Sequence, residues 1–424
     1  MPRDTLGPAS ATVLVVANMI GAGVFTSSGY ALADLQSRPL VLLAWLLGAA
    51  LALLGALSYA ALARRLPGSG GEYHYLARAV HPLAGFLAGW VSLLAGFTAP
   101  IAVAAAVLQS YLAPSLGGGL APEWIGTGAI VAAAVLHGLR LRGGVLAQNG
   151  VVALKLLLVG AFLVLGATRL APLQETLPEP PFRPAAFAET LLWVSFSYSG
   201  WNAAVYVAAE LRDPARDVAR AMLGGTAIAG ALYLALNAVF LYAAPVAELA
   251  GHGDIGARAA SALGGPGLRR LVEVAVGLAL LSSISAMVMA GPRVYARMAE
   301  DGLLPRAFDP RGKVPRAAIA LQAGLAILVL WLGDLRDLLS YVGFCLSLGT
   351  AAAVAALMRL RWREGAARVP MFGFPWVPGT FVLASVLIGA FSAPRAAGPL
   401  LATAATLLLG ILAYAFLRRA ASVG

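Results

Sequence analysis

The chain has 424 residues, of which 60% are hydrophobic and only 12% charged, with a net charge of +11 and a single cysteine. Soluble domains carry about 25% charged residues, so the composition excludes one and describes a polytopic membrane protein. The lone Cys345 excludes a disulfide framework and a paired-cysteine metal site, and no alternating polar/apolar pattern suggests an outer-membrane barrel.

Apolar stretches of membrane-crossing length recur along the chain. They predict about twelve helices, at roughly 11–31, 40–62, 82–112, 124–139, 145–168, 187–209, 221–244, 271–292, 315–333, 338–358, 374–393 and 396–417. The stretches 124–139 and 315–333 are short or closely flanked by charge. Forty-eight glycines suit close helix packing in lipid. The first stretch is too long for a cleavable signal, and another follows almost at once. A single transmembrane domain over 1–424 is expected, with no soluble appendage at either end.

The first stretch contains Asn18-Met19-Ile20-Gly21-Ala22-Gly23-Val24-Phe25. Its glycines weaken the helix and let another molecule approach the backbone. The fifth carries Lys155, the only formal charge between Gly143 and Gly166. A cation at the centre of a membrane helix costs about 2.5–3.5 kcal/mol on insertion scales. The chain uses 28 arginines and only one other lysine, Lys313. Lysine is the cation that can release its proton when buried, so its use at 155 points to a titrating role.

The sixth stretch contains Trp193-Val194-Ser195-Phe196-Ser197-Tyr198-Ser199-Gly200-Trp201-Asn202. Its serines compete for backbone hydrogen bonds, and Gly200 offers a hinge. Two interrupted helices five spans apart predict a five-plus-five inverted repeat. Repeat one covers about 10–168, repeat two about 186–358, and two extra helices about 374–418.

A broken helix presents amide N–H groups to a carboxylate and carbonyls to an ammonium. Asp34, Glu189, Glu210, Glu273, Asp334 and Asp337 all fall near span ends. A cationic substrate would then lack a carboxylate partner at depth, whereas a zwitterion brings its own. Small or neutral amino acids are the favoured ligand, with cationic amino acids or polyamines the alternative. Phe196, Tyr198 and Trp201 are candidate gates or lining groups, with Phe196 the better placed.

With the amino terminus inside, 21 Lys/Arg fall in cytoplasmic loops and 8 outside. That asymmetry is the positive-inside rule, with both termini cytoplasmic. The charge thus reports topology, and no nucleic-acid partner is expected. His74, His81, His137 and His252 lack ligand spacing, so no metal or other cofactor is expected. No nucleophile–base pair or paired acids stand at membrane depth, which argues against an enzyme.

These motifs carry a resemblance. The chain resembles, over nearly its full length, the amino acid–polyamine–organocation (APC) superfamily, especially bacterial relatives of L-type and cationic amino acid transporters. The matching segments are Ile20-Gly21-Ala22-Gly23-Val24-Phe25, Gly70-Gly71-Glu72-Tyr73, Phe196-Ser197-Tyr198-Ser199-Gly200-Trp201 with Glu210-Leu211-Arg212-Asp213-Pro214, and Ala290-Gly291-Pro292-Arg293-Val294-Tyr295 with Asp301-Gly302-Leu303.

The resemblance implies an all-α, LeuT-like five-plus-five repeat with two extra helices, and an alternating-access permease of the plasma or inner membrane. The substrate carboxylate would meet amides at Gly21, Ala22 and Gly23. Its amine would meet carbonyls near Ile20 and at Phe196, Ser197 and Ser199. Lys155 resembles the lysine that stands in for sodium between helices one and eight in sodium-independent members. Its expected neighbours are carbonyls around Gly21 and the hydroxyls of Ser282, Ser283 or Ser285. Protonation of that lysine would couple transport to protons; a permanently charged lysine would suit exchange. Glu72, Glu210, Arg212, Asp213 and Arg293 would form an inner gate. Residues 111–123 contain no cysteine, so no disulfide-linked partner subunit is expected.

Overall fold

The computed structural model describes residues 7–67, 71–116, 121–139, 144–171, 181–206, 211, 213–304, 308 and 314–423, and only the backbone at 116, 144–149, 206, 214, 215, 293, 297 and 419–423. The described residues form a helical bundle. Pro8 opens α1 (Pro8–Met19), which stops where Gly21 takes an extended conformation. α2 (Ala22–Leu35) then continues at a bend of 43°. Ser37 and Pro39 open α3 (Arg38–Arg65): the Ser37 hydroxyl accepts the Leu40 N–H, one of the donors a helix start leaves unpaired.

Next come α4 (Gly71–Ala79) and α5 (Pro82–Val91), the latter capped by His81 Nδ1, which accepts from Leu83 N at 3.1 Å. A π-helical turn (Ser92–Thr98) leads into α6 (Ala99–Leu116), followed by α7 (Glu123–Gly138) and α8 (Gly144–Ala167). α9 (Pro184–Ser197) ends in a turn, and the one-turn α10 (Ala203–Tyr206) follows. α11 (Pro214–Tyr242) is capped by Asp213 and leads to the short α12 (Val246–Leu249).

α13 (Ile255–Glu300) bends at Gly264–Gly265, where Gly265 adopts a φ of +62° that L side chains disfavour. α14 (Arg316–Leu332), α15 (Leu335–Glu364), α16 (Trp376–Ser392) and α17 (Ala397–Val423) complete the order.

The described residues of the twelve apolar stretches lie mainly in helices, the first across the bent pair α1/α2 and the sixth across α9, a turn and α10. Among the described residues seven runs are long and apolar enough to cross a membrane: α3, α5 through α6, α8, α11, α13, α15 and α17. The bent pair α1/α2 makes an eighth if it counts as one span. α14 and α16 are shorter apolar helices of 17 residues, while α7 has 16 and α9 has 14. Leu157 on α8 and Leu401 on α17 are 67% and 70% exposed, as side chains bathed in lipid would be.

Packing brings the two interruptions together. α1 and α3 lie on α11, α6 and α8 on α13, and α9 on α2, α3, α15 and α16. A Cβ added at Gly23 would lie 2.7 Å from Ser197 Cα, so the start of α2 and the end of α9 touch backbone to backbone. Ser27 Oγ and Ser197 Oγ stand 3.2 Å apart.

Candidate functional site

A cavity of about 1830 Å³ ends at this meeting point. It exceeds the roughly 300–1,000 Å³ of an enclosed ligand pocket, and exposed residues are part of its wall. Exposed Ala9, Val13 and Leu14 of α1, Val80, and Leu136 of α7 mark the mouth, with Glu72 and Arg359 on the same wall. The inner end holds Gly21, Ala22 and Gly23 beside Phe196, Ser197, Ser199 and Gly200.

The chain builds each break differently. At the first, α2 starts without a side-chain cap, so its opening N–H groups aim at the cavity's inner end with the positive end of the helix dipole. At the second, Gly200 has a φ of +98°, and a Cβ there would lie 2.8 Å from Asn18 Nδ2 and 3.1 Å from Asn18 O. Only glycine meets both demands. Asn18 Nδ2 in turn donates to Gly200 O at 3.3 Å, tying the two breaks together.

Lys155 points into this junction. Its residue is 1% exposed, and Nζ donates to Ala17 O at 2.9 Å and Ile20 O at 3.2 Å. These are carbonyls that the end of α1 leaves without helical partners. The Tyr233 hydroxyl, from α11, donates to the carbonyl between them, that of Met19. The lysine therefore bridges α8 to the unwound end of α1.

The three serines of α13 separate. Ser282 and Ser283 line the cavity. Ser283 Oγ would stand 3.9 Å from a Cβ at Gly21, and Ser282 Oγ turns back to Ala279 O at 2.8 Å. Ser285 is elsewhere: its hydroxyl pairs with His137 Nε2 of α7 at 2.8 Å, so it does not join the lysine's surroundings.

Two further expectations are corrected. The Ile20 side chain is fully buried off the cavity wall, and the amine that its carbonyl meets is that of Lys155. Tyr198 is buried with its hydroxyl on Trp45 O at 3.1 Å and its ring against Trp45 and Tyr233. It braces α9 on α3 and α11 rather than facing the cavity. Phe196 and Trp201 do line it, and Trp201 packs edge-on against Tyr59 at 4.7 Å.

Of the expected inner-gate charges, Glu72 lies on the cavity wall, accepting from Tyr59 Oη at 2.7 Å and Asn202 Nδ2 at 3.0 Å. Asp213 serves as the α11 cap. Glu210, Arg212 and the side chain of Arg293 lie outside the described residues, as does Gly70.

Two groups on the wall carried no sequence signal. One is His137, a lone histidine at a helix end. The other is the π-turn, which places Ser92, Gly96 and Phe97 on the cavity. The Leu93 carbonyl within it also accepts from Thr98 Oγ1 at 2.7 Å and from Tyr295 Oη of α13 at 3.2 Å.

Membrane-length helices around a cavity that reaches two facing helix breaks are the build of a membrane transporter. A family model described as amino acid permease matches residues 6–414, and the chain belongs to that family. It is 28% identical to the serine/threonine exchanger SteT of Bacillus subtilis (strain 168), over 91% of this chain and 92% of that protein. It is 26% identical to the large neutral amino acids transporter small subunit 2 of Homo sapiens, over 85% of this chain and 70% of that one. The Asc-type amino acid transporter 1 of Mus musculus is likewise 26% identical, over 87% and 72%. The chain is an amino acid transporter.

Proposed function

We propose that the protein carries small neutral amino acids across the cell membrane without sodium, by exchange or proton coupling, through alternating access. In this reading the twelve apolar stretches form a five-plus-five inverted repeat with two further helices, and both termini are cytoplasmic. The cavity mouth then opens to the cytoplasm.

One observation carries the proposal: the buried Lys155 ammonium bridges α8 to the carbonyls of Ala17 and Ile20 at the first break. A cation held there between helices does what a bound metal cation would otherwise do, and no sodium is required. The substrate carboxylate meets the N–H groups of Ala22 and Gly23 at the start of α2. Lys155 and Tyr233 already hold the carbonyls of Ala17, Met19 and Ile20. The substrate's ammonium is therefore left the second break, at the carbonyls of Phe196, Ser197 and Ser199.

The names of the relatives support a neutral substrate, serine or threonine among them. A second reading, transport of cationic amino acids or polyamines, rests on Glu72, a carboxylate on the cavity wall. Uptake of radiolabelled serine, alanine, leucine, arginine and putrescine by purified protein in sodium-free proteoliposomes separates the two. Saturable uptake of serine or alanine is expected. Uptake of arginine or putrescine alone would replace the proposal with the second reading.

A further inference from the structure

At the end of the bundle away from the cavity mouth, four charged residues from four separate segments converge. Arg395, in the turn between α16 and α17, donates from Nε to Glu189 Oε2 of α9 at 2.8 Å and pairs through Nη2 with Asp34 Oδ1 of α2 at 3.1 Å. Arg336, at the start of α15, bonds the other Asp34 oxygen. Its guanidinium carbon lies 5.4 Å from the ring centre of Tyr30 and 5.2 Å from that of Trp193, within cation–π range. Below them Tyr30 and Trp193 meet edge to face, and Trp193 Nε1 donates to Ser340 Oγ at 2.8 Å.

We propose that Asp34, Glu189, Arg336 and Arg395 form a latch that holds this face shut, with Arg395 as the positioning residue that ties the last two helices into the transport cycle. The inference rests on the alternating-access reading, but concerns a part of the molecule that substrate bound at the breaks does not touch. Asp34 stands twelve residues beyond Ala22 along α2, roughly 18 Å at the helical rise.

Topology supports the latch. α2 and α9 are the helix segments that run from the two breaks toward this face, and Asp34 and Glu189 are their charges here. For the face to open, these helices must part from α15 and from the α16–α17 turn, which carry the two arginines. Every ion pair of the cluster crosses that seam. The acids are nearly covered, at 12% and 9% side-chain exposure, while the arginines are 38% and 37% exposed. Water thus reaches each guanidinium from one side, and an opened pair can be resolvated, which keeps the latch reversible. The charges balance at two against two, so removing one leaves an opposite charge without its full complement.

A thiol-accessibility assay tests the latch without requiring knowledge of the substrate. Cys345→Ser removes the native thiol, and Thr26→Cys places a new one on α2 between the first break and the latch. Sealed vesicles of uniform orientation expose the latch face to an impermeant maleimide. With the latch intact, labelling from that face is slow. Arg395→Gln and Asp34→Asn each raise the rate roughly fivefold or more, the lower end of a usual conformational coupling, and Arg395→Lys restores slow labelling. A variant that only loosened the fold would not be rescued by lysine. If Arg395→Gln fails to reach the membrane, Glu189→Gln, which removes one of the same pairs, takes its place. Unchanged labelling in the neutralised variants overturns the latch, whatever the uptake assays show about substrate.

Discussion

Lys155 and the glycines at the breaks set the chemistry at the residue scale. Lys155→Ala strips a partner from two carbonyls at the end of α1, and bonds to a charged group are worth roughly 1.5–3 kcal/mol each. Lys155→Arg is expected to fail as well, since a planar guanidinium cannot take the place of a compact ammonium between Ala17 O and Ile20 O. Both variants should lose most uptake in proteoliposomes, and wild-type uptake by Lys155→Arg would deny the amine its role. Gly200→Ala faces a φ of +98° and the Asn18 backbone together. A strained conformation of that kind costs of order 1–3 kcal/mol, so thermal melting in detergent should shift downward. Serine hydroxyls proved less readable than glycines. Ser282 and Ser285, three residues apart on α13, share a face on any helical projection, yet Ser285 pairs with His137, a partner that lies 148 positions earlier.

At the scale of elements, the breaks were legible because glycine and serine clusters interrupt otherwise apolar runs, and Lys155 because it is the one charge in its run. The π-turn was not. Its sequence, Ser92 to Thr98, carries nothing to distinguish it from the apolar helix around it, and it is held by the hydroxyl of its own Thr98 and by that of Tyr295 across the bundle. Thr98→Val and Tyr295→Phe should each be nearly silent, because the other hydroxyl still serves Leu93 O. Together they strip both side-chain donors from that carbonyl, at a cost of about 0.5–1.5 kcal/mol for the bond finally lost. A double-mutant cycle of melting temperatures is therefore expected to be strongly non-additive; simple additivity would mean that the turn has another anchor. Tyr198 was misread for a related reason. Adjacency to the break suggested the cavity, but its direction is set by Trp45 and Tyr233 on helices remote in sequence.

On the scale of the whole molecule, the cavity opens among exposed residues at the start of α1, and the ion-paired face at the opposite end of α15 lies away from it, an arrangement that fits the proposed alternating access. That face also includes the stretch after α12, where Gly251 N donates to Gly29 O at 2.7 Å. The charges of this face were visible in the sequence, but singly they read as span ends; only the fold brings Asp34, Glu189, Arg336 and Arg395 together. Sidedness offers a direct check on topology. Leu14 is exposed on the cavity wall near the mouth. Leu14→Cys in a Cys345→Ser background should react with an impermeant maleimide from the cytoplasmic side only, and labelling from outside would invert the proposed orientation.

The central claim is that Lys155 takes the place of a coupling metal cation, and sodium-free alanine uptake tests it most directly. Wild type and Lys155→Ala are compared in proteoliposomes with and without sodium, internal amino acid and an inward proton gradient. Wild type is expected to transport without sodium, driven by internal substrate or by protons, with Lys155→Ala lower by at least about tenfold, the factor given by roughly 1.4 kcal/mol. Strict sodium dependence in wild type, or undiminished transport by Lys155→Ala, would contradict it.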